Sequence, residues 1–416
     1  MVNMIINKAK KPEILSPAGD FEKFLFALAY GADAVYLGGE NFGLRVKSNN
    51  FSLDEIAKAV SIAKEKGVKV YVTVNIFAHN EDIEALPNYL KSLNEIKPHG
   101  LIISDLGVFA LAQEFAPNIP IHISTQANSV NYRTVEQWQK FGAERVVLGR
   151  ELSLAEIEEI TSKTSAELEI FVHGAMCMSY SGRCLLSNYL TGRDANHGAC
   201  THPCRWKYAL VEAERPDEYL PIEEDNRGSY IMNSKDLNLL SYIPQFIDYG
   251  LDSLKIEGRV KSAYYVAVVT KVYREAVDVA FNDKEEFFKS LPQWQNELKT
   301  VSHREYTQGF FGGKPNAEDY RYDSSSYVRE YDFIAVVRGY DQSRKCLILE
   351  QRNNFKVGET LEILSPVISE QPQSINISKM YNEKFEEIDV APHAQMMVYL
   401  PYVKGLPPLT ILRRKR

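Results

Sequence analysis

The sequence lacks the features of a chain that enters or crosses a membrane. It has no run of about eighteen or more apolar residues, so we expect no transmembrane helix. Residues 1–11 include basic side chains but no apolar core of the kind found in a signal peptide. We therefore expect a cytoplasmic protein with no membrane partner. The formal net charge of −7 also argues against a general nucleic-acid-coating role.

Short motifs of several enzyme classes are missing as well. The sequence contains no H-E-x-x-H, no G-x-S-x-G and no G-x-x-x-x-G-K-[ST]. A standard zinc protease, serine hydrolase or nucleotide triphosphatase therefore has no support. No G-x-G-x-x-G follows the first predicted strand, which weakens a dinucleotide-binding interpretation.

Cysteine is scarce, but four of the five cysteines are clustered. Cys177, Cys184, Cys200 and Cys204 form a C-x₆-C-x₁₅-C-x₃-C pattern. Because disulfides are disfavoured in the cytosol, the cluster indicates a metal site, and four thiolates suit Zn²⁺ or an iron–sulfur cluster. The spacing matches neither a zinc ribbon nor a ferredoxin run, so it leaves both metals open. Cys346 lies in a strand pattern and is predicted as a core residue.

Residues 1–282 alternate short β-branched runs with amphipathic stretches, as in a parallel sheet covered by helices. Eight strands are predicted, at residues 13–15, 34–37, 69–74, 101–104, 121–124, 145–148, 168–172 and 254–256. A weak repeat, with a glycine and then an acidic residue before a strand, occurs at Gly31, Gly142 and Gly250. The pattern predicts an α/β fold of the TIM-type (β/α)8 barrel class. A doubly wound open sheet is the competing arrangement.

Three further segments complete the predicted organisation. Residues 174–231 interrupt the barrel pattern and hold the cysteine cluster, and an insertion of this length is usually functional. Residues 283–330 are predicted as a polar connector, and residues 331–416 as a small C-terminal β-barrel. The chain ends in four basic residues, 413–416, which form either a frayed solubilising tail or a phosphate contact.

Polar residues follow several predicted barrel strands, and in a TIM-type barrel such residues converge on one mouth. His173 ends the seventh strand and Glu257 follows the eighth, so we predict both as catalytic groups. A hydrogen-bonded structural role is the alternative for His173. The predicted substrate-binding residues are Arg45, Asn75, Gln126, Arg150 and Arg259. Three of them are arginines, which suits a small anionic substrate with carboxylate groups.

Several blocks of this sequence resemble the peptidase U32 family. Residues 169–187, which read EIFVHGAMC and then GRCLLS after four further residues, are similar to that family's signature. The segments LSPAG at 15–19, KIEGR at 255–259 and SHR at 302–304 resemble its other blocks. With the C-terminal β-domain, the resemblance covers nearly the whole chain.

The resemblance implies a [4Fe–4S] cluster, with Cys177, Cys184, Cys200 and Cys204 as its ligands. One branch of the family forms 5-hydroxyuridine at the wobble position of tRNA, independently of oxygen and dependent on prephenate. The length and C-terminal β-domain of this chain look most like that branch. The resemblance therefore implies tRNA and prephenate, or a similar small dicarboxylate, as partners. It leaves open a paralogous U32 protein as a further partner.

Two other functions stay open. The family takes its name from collagenase-like proteases, so a metal-dependent peptidase is the alternative enzyme, with zinc as the alternative metal. In a third interpretation the metal only folds the insertion of a non-catalytic scaffold.

Overall fold

The computed structural model of the chain describes residues 10–43, 50–176, 184–193, 195, 200–203, 209–212, 215–221, 233–313, 320–321, 328–367, 373–402 and 405–416. No helix within these ranges is long and apolar enough to cross a membrane. The strands up to residue 256 are β1 (Glu13–Pro17), β2 (Ala34–Gly38), β3 (Lys69–Val74), β4 (Gly100–Ile103), β5 (Ile121–Ile123), β6 (Arg145–Val147), β7 (Glu167–Ala175), β8 (Ala209–Glu212), β9 (Arg215–Pro221), β10 (Asn233–Ser234), β11 (Asp236–Asn238) and β12 (Ser253–Ile256).

The α-helices within the described ranges lie between or after these strands. They are α1 (Phe21–Ala29), α2 (Leu53–Glu65), α3 (Asn80–Ile96), α4 (Leu106–Phe115), α5 (Tyr132–Phe141), α6 (Leu154–Lys163), α7 (Leu186–Thr191), α8 (Ile243–Asp248), α9 (Ala263–Asn282) and α10 (Lys284–Leu298). Ser52 and Ser153 cap α2 and α6 in capping boxes, each closed by a glutamate three residues later.

Eight parallel strands close into a barrel. β1 to β7 pair in chain order, and β12 pairs with both β7 and β1. This closure confirms the predicted TIM-type fold and excludes the open sheet. Side chains such as Val35, Val72 and Val172 point outward into the main core, where the helices cover the barrel.

The weak sequence repeat has a structural cause. Its three glycines have φ values between 70° and 104°, the left-handed conformation that ends a helix. In two copies the acid that follows accepts a hydrogen bond from a neighbouring strand. Asp33 Oδ2 accepts from the backbone N–H of Ile14 at 2.8 Å, and Asp252 Oδ2 from that of Leu168 at 2.9 Å. The acid therefore ties each turn to the start of an adjacent barrel strand.

Between β7 and β12 the chain leaves the barrel. β11 pairs antiparallel with the end of β7, and β13 (Tyr306–Thr307) pairs parallel with β11. The segment predicted as a connector carries α10, whose Phe287, Trp294 and Leu298 are buried. Trp294 Nε1 donates to Glu275 of α9 at 3.1 Å, so α10 packs as part of the barrel domain.

The C-terminal domain is an antiparallel half-barrel. After β14 (Tyr320–Arg321), its strands are β15 (Tyr331–Asp341), β16 (Cys346–Gln351), β17 (Phe355–Lys356), β18 (Thr360–Leu364), β19 (Gln373–Asn376), β20 (Met380–Tyr381), β21 (Glu387–Ile388), β22 (Val390–Ala391), β23 (Met397–Pro401) and β24 (Ile411–Lys415). The main sheet has the order β19-β18-β24-β15-β16-β23-β20-β21. The predicted small C-terminal β-barrel is therefore confirmed as a β-domain, with a main sheet that forms a half-barrel, and Cys346 is buried in it as expected.

The basic C-terminus is not a frayed tail, so that interpretation was wrong, while a phosphate contact through the exposed Lys415 and Arg416 stays a prediction. It forms β24, between β18 and β15. Arg413 is buried and binds Glu297 and Glu362, with 3.0 Å between Arg413 Nε and Glu362 Oε2. Arg414 Nη1 donates to Glu359 at 2.6 Å. The Arg413–Glu297 pair joins the half-barrel to the barrel domain, because Glu297 belongs to α10.

Candidate active site at the barrel mouth

Asn75 and Gln126 meet at the mouth, as the sequence predicted. Asn75 follows β3, and Gln126 lies in the 3₁₀ turn Thr125–Ala127 after β5. Asn75 Nδ2 donates to Gln126 Oε1 at 3.2 Å and to Ser124 Oγ at 3.4 Å. The strand ends therefore present a linked set of neutral polar groups on this side of the mouth.

Arg150 and Glu257 form a second pair at the mouth. Arg150 Nη2 lies 3.7 Å from Glu257 Oε2, and Arg150 Nη1 donates to the carbonyl of Ala175 at 2.9 Å. The guanidinium lies over the ring of Phe171, 3.8 Å from its centroid. The backbone N–H of Glu257 donates to the carbonyl of His173 at 2.8 Å. An acid and a fixed cation thus stand side by side at the end of β12.

Arg259 is held at the opposite side of the mouth, beside β2 and β3. It is buried, and its Nη1 and Nη2 donate to Thr73 Oγ1 at 3.3 Å and to Asn50 Oδ1 at 2.8 Å. A Cβ at Gly38 would lie 2.2 Å from Arg259 Nη2, so glycine is required where the guanidinium crosses β2. Arg45 lies outside the described residues.

His173 does not point toward this group of residues. Its ring lies among the rings of Tyr265, Tyr273 and Tyr306, with centroids 5.3 to 6.0 Å away, and its Nδ1 is 3.4 Å from the hydroxyl of Tyr273. Burial lowers the pKa of His173 to about 3, so the ring is neutral at pH 7. This environment matches the structural alternative considered from sequence, while its catalytic role stays a prediction.

The neutral, buried His173 should make the folded protein less stable as the pH falls. Its folded-state pKa is about 3, below the ordinary value of 6.5, so between these pH values only the unfolded chain takes up the proton. Stability is therefore lost as the pH falls through this window, by up to about 1.4 kcal/mol per pH unit. We expect His173→Gln to make the free energy of unfolding less pH-dependent between pH 6.5 and 4.5, measured by urea titration. His393→Gln at an exposed site is the control, and parallel losses in all three proteins would refute the assignment.

In the described part of the cysteine segment, hydrogen bonds of short side chains connect the residues next to Cys184 and Cys200. Cys184 immediately precedes Leu185 and α7, and the backbone N–H of Thr201 donates to Ser187 Oγ at 3.0 Å, which ties Cys200 to that helix. The backbone N–H of His202 donates to Cys200 Sγ at 3.4 Å. A thiolate that accepts an N–H is suited to ligate an iron–sulfur cluster. Cys177 and Cys204 lie outside the described residues.

The sequence analysis did not predict a network of charges that lies inside the barrel. Glu169 is fully buried and accepts from Lys255 Nζ at 2.7 Å and from Arg145 Nη1 at 3.3 Å. Burial raises the pKa of Glu169, but these two cations outweigh it and hold the pKa below its usual value. Lys255 Nζ also lies 5.4 Å from the Phe171 ring centroid. The signal was available, because charged residues at alternate positions in apolar strands must point into the barrel.

Two family models together match most of this chain. The model of peptidase family U32 matches residues 19–321, and that of the U32 C-terminal domain matches residues 329–413. The chain belongs to peptidase family U32. The boundary between the two matches lies just before β15, where the half-barrel begins.

Three relatives of this U32 chain bear on its function. A Bacillus subtilis (strain 168) protein named tRNA hydroxylation protein P1 is 41% identical over 405 residues, 97% of this chain and 95% of the relative. The Escherichia coli (strain K12) tRNA hydroxylation protein P is 39% identical, and 95% of each chain is covered. A Porphyromonas gingivalis (strain ATCC BAA-308 / W83) protein named collagenase is 32% identical, over 85% of this chain and 86% of the relative.

In this U32 chain the structure thus brings together four of the seven residues predicted at the mouth, in two pairs: Asn75, Gln126, Arg150 and Glu257. Arg259 stands apart from them, held by Thr73 and Asn50. His173 contacts the mouth through its backbone carbonyl, which accepts from the N–H of Glu257.

Proposed function

We propose that this chain is a tRNA-modifying enzyme that hydroxylates tRNA. The observation that carries the proposal is the 41% identity to a protein named for tRNA hydroxylation, which extends over 97% of this chain. Both the barrel and the half-barrel fall within that span, so the similarity includes the mouth and the cysteine segment. tRNA is accordingly the proposed macromolecular substrate.

The finer proposal is formation of 5-hydroxyuridine at the wobble position, independently of oxygen and dependent on prephenate. It rests on the family resemblance, and the mouth is compatible with it. Arg150 and Arg259 are fixed cations at a polar opening, and guanidinium groups bind carboxylates in two-point fashion. A small dicarboxylate would have to share Arg150 with Glu257, which lies 3.7 Å away.

A [4Fe–4S] cluster is the proposed cofactor, with zinc as the alternative metal. Cys177, Cys184, Cys200 and Cys204 would hold it, and it would supply one-electron redox chemistry. The support is chemical: the donor set is four thiols, and Cys200 Sγ accepts a backbone N–H. Glu257 follows β12, and Arg150 contacts Ala175 at the end of β7, from which the cysteine segment departs.

Deletion of the gene tests the proposed function directly. In a strain with no second U32 gene, we expect the hydroxylated uridine derivatives to disappear from digested tRNA, measured by mass spectrometry of nucleosides. Plasmid copies of the intact gene should restore them. Persistence of the modified nucleosides in the deletion strain would refute the proposal. A strain that carries a second U32 gene, deleted singly and doubly, would show whether a paralogous partner is required.

A collagenase-type peptidase is the second candidate, favoured by the likeness to the Porphyromonas gingivalis protein. The mouth gives it little support. The hydroxyl of Ser124 hydrogen-bonds to Gln126 and lies beside Asn75. Neither Gln126 nor Asn75 can act as the general base that a histidine would provide. Among the described residues no three His, Cys, Asp or Glu side chains are grouped so that they could hold a metal ion.

A further inference from the structure

One side of the mouth carries several buried polar atoms that lack a hydrogen-bond partner among the described residues. They lie on the chain segments that follow β3, β5 and β6, and none has a hydrogen-bond partner within the described part of the chain: Asn75 Oδ1, Asn128 Oδ1, Ser129 Oγ, Arg150 Nε and Glu151 Oε2. Asn75 is 7% exposed and Ser129 is 0% exposed. Buried polar groups without partners cost folding free energy, so they indicate a site built for a ligand.

These atoms belong to one continuous wall. Asn75 binds Gln126, and Asn128 Nδ2 donates to the backbone carbonyl of Gln126 at 2.9 Å. The backbone carbonyl of Ser129 accepts from the N–H of Gly149 at 3.1 Å. A Cβ at Gly149 would lie 2.8 Å from Glu151 Oε2, so the absence of a side chain there lets the carboxylate lie against the strand end. The segments after β3, β5 and β6 are thus joined by direct contacts.

The wall mainly accepts hydrogen bonds. Asn75 Oδ1, Asn128 Oδ1 and Glu151 Oε2 are acceptors only, and the Ser129 hydroxyl can take either role. Arg150 Nε is the one donor in this set. A dicarboxylate has no donor for such a wall at neutral pH, and Glu151 would repel it. The matching ligand is neutral and carries several N–H or O–H donors. The anionic co-substrate therefore belongs with the guanidinium groups of Arg150 and Arg259, away from the wall's oxygens.

We propose that this acceptor wall binds the target nucleoside, with Asn75 Oδ1 accepting from the imide N3–H of uracil and the wall's other oxygens accepting from ribose hydroxyls. This inference rests on the proposed function, which supplies uridine as the substrate. It makes Asn75 a specificity-determining residue, because N3 of cytosine is a hydrogen-bond acceptor and would face Oδ1 of Asn75, which is also an acceptor. A site built around an N–H of the substrate discriminates strongly against analogues that lack it.

The test uses the purified full-length protein and two anticodon stem-loop RNAs, which carry uridine or 3-methyluridine at the wobble position. We expect the uridine RNA to bind at least about 10-fold more tightly, and Asn75→Leu to bind both RNAs alike. Ser129→Ala should weaken binding of the uridine RNA by about 3- to 10-fold. Its melting temperature should not fall, because the substitution removes a buried hydroxyl that has no partner within the described part of the chain. Asn296→Leu on α10 is the surface control and should bind as the unmodified chain does.

Equal binding of the two RNAs by the unmodified protein would overturn the inference, as would unchanged discrimination in Asn75→Leu with its fold intact by melting temperature. If Asn75→Leu fails to fold, Ser129→Ala decides: unweakened binding of the uridine RNA by this variant would overturn the inference. The binding test and the gene-deletion test can fail independently of each other. If gene deletion removes the modified nucleosides but the RNAs bind alike, the wall assignment fails alone. If discrimination is seen but the modified nucleosides survive deletion, the proposed reaction fails and the nucleoside site stands.

Discussion

Glu169→Gln is expected to destabilise the barrel by about 3–5 kcal/mol at pH 7, because it leaves Lys255 as a buried cation without a carboxylate. The pKa of Glu169 is held low by Lys255 and Arg145, so its charge is present at neutral pH and contributes stability there. Urea-induced unfolding followed by circular dichroism measures the change. The loss should shrink on acidification, when the carboxylate of the unmodified protein is itself protonated.

Glu167→Gln is the matched control for this prediction. Glu167 binds the same Arg145 at 2.7 Å, but its side chain is 34% exposed, so water replaces the lost charge. We expect a loss of less than about 1 kcal/mol. If the free energy of unfolding falls equally little in both variants, the charge network inside the barrel contributes nothing to stability. Its charges would then have to be explained by the chemistry at the mouth.

The barrel could be predicted because its strands carry a local signal, whereas the orientation of His173 could not. β12 pairs Lys255 with Phe171 and the next residue, Ile256, with His173, so β7 has one extra residue there. Such a bulge breaks the alternation of side chains, and Phe171 faces Lys255 in the barrel while His173 faces Tyr273 of α9. No pattern in the residues around His173 marks a bulge.

The C-terminal arginines show a second limit of sequence reasoning. Four adjacent cations at a chain end normally indicate a solvated segment. Here the strand pairing places Arg413 against Glu297, which lies 116 residues earlier in the chain, and against Glu362. Asn75 and Gln126 were found because position at a strand end is itself the signal. Arg413 was misjudged because its partners come from distant parts of the chain.

Cys184→Ala is expected to abolish both metal binding and tRNA hydroxylation. If Cys184 is one of four cluster ligands, protein purified without oxygen should contain about four iron and four sulfide per chain, and the variant almost none. The same substitution on a plasmid should fail to restore hydroxylated uridines in the deletion strain. Iron, zinc and acid-labile sulfide per chain, the visible spectrum and tRNA nucleosides are the measurements.

Cys346→Ala separates ligation from the mere loss of a thiol. Cys346 is buried in β16 of the half-barrel, and its Sγ donates to the carbonyl of Arg344 at 3.4 Å, so we expect it to keep full iron content and hydroxylation. One zinc and no sulfide in the unmodified protein would replace the cluster by a structural metal. Gelatin hydrolysis that then disappears in Cys184→Ala would favour the peptidase. tRNA nucleosides that stay unchanged in Cys184→Ala would favour a non-catalytic scaffold, because the metal would then serve neither tRNA hydroxylation nor peptide hydrolysis.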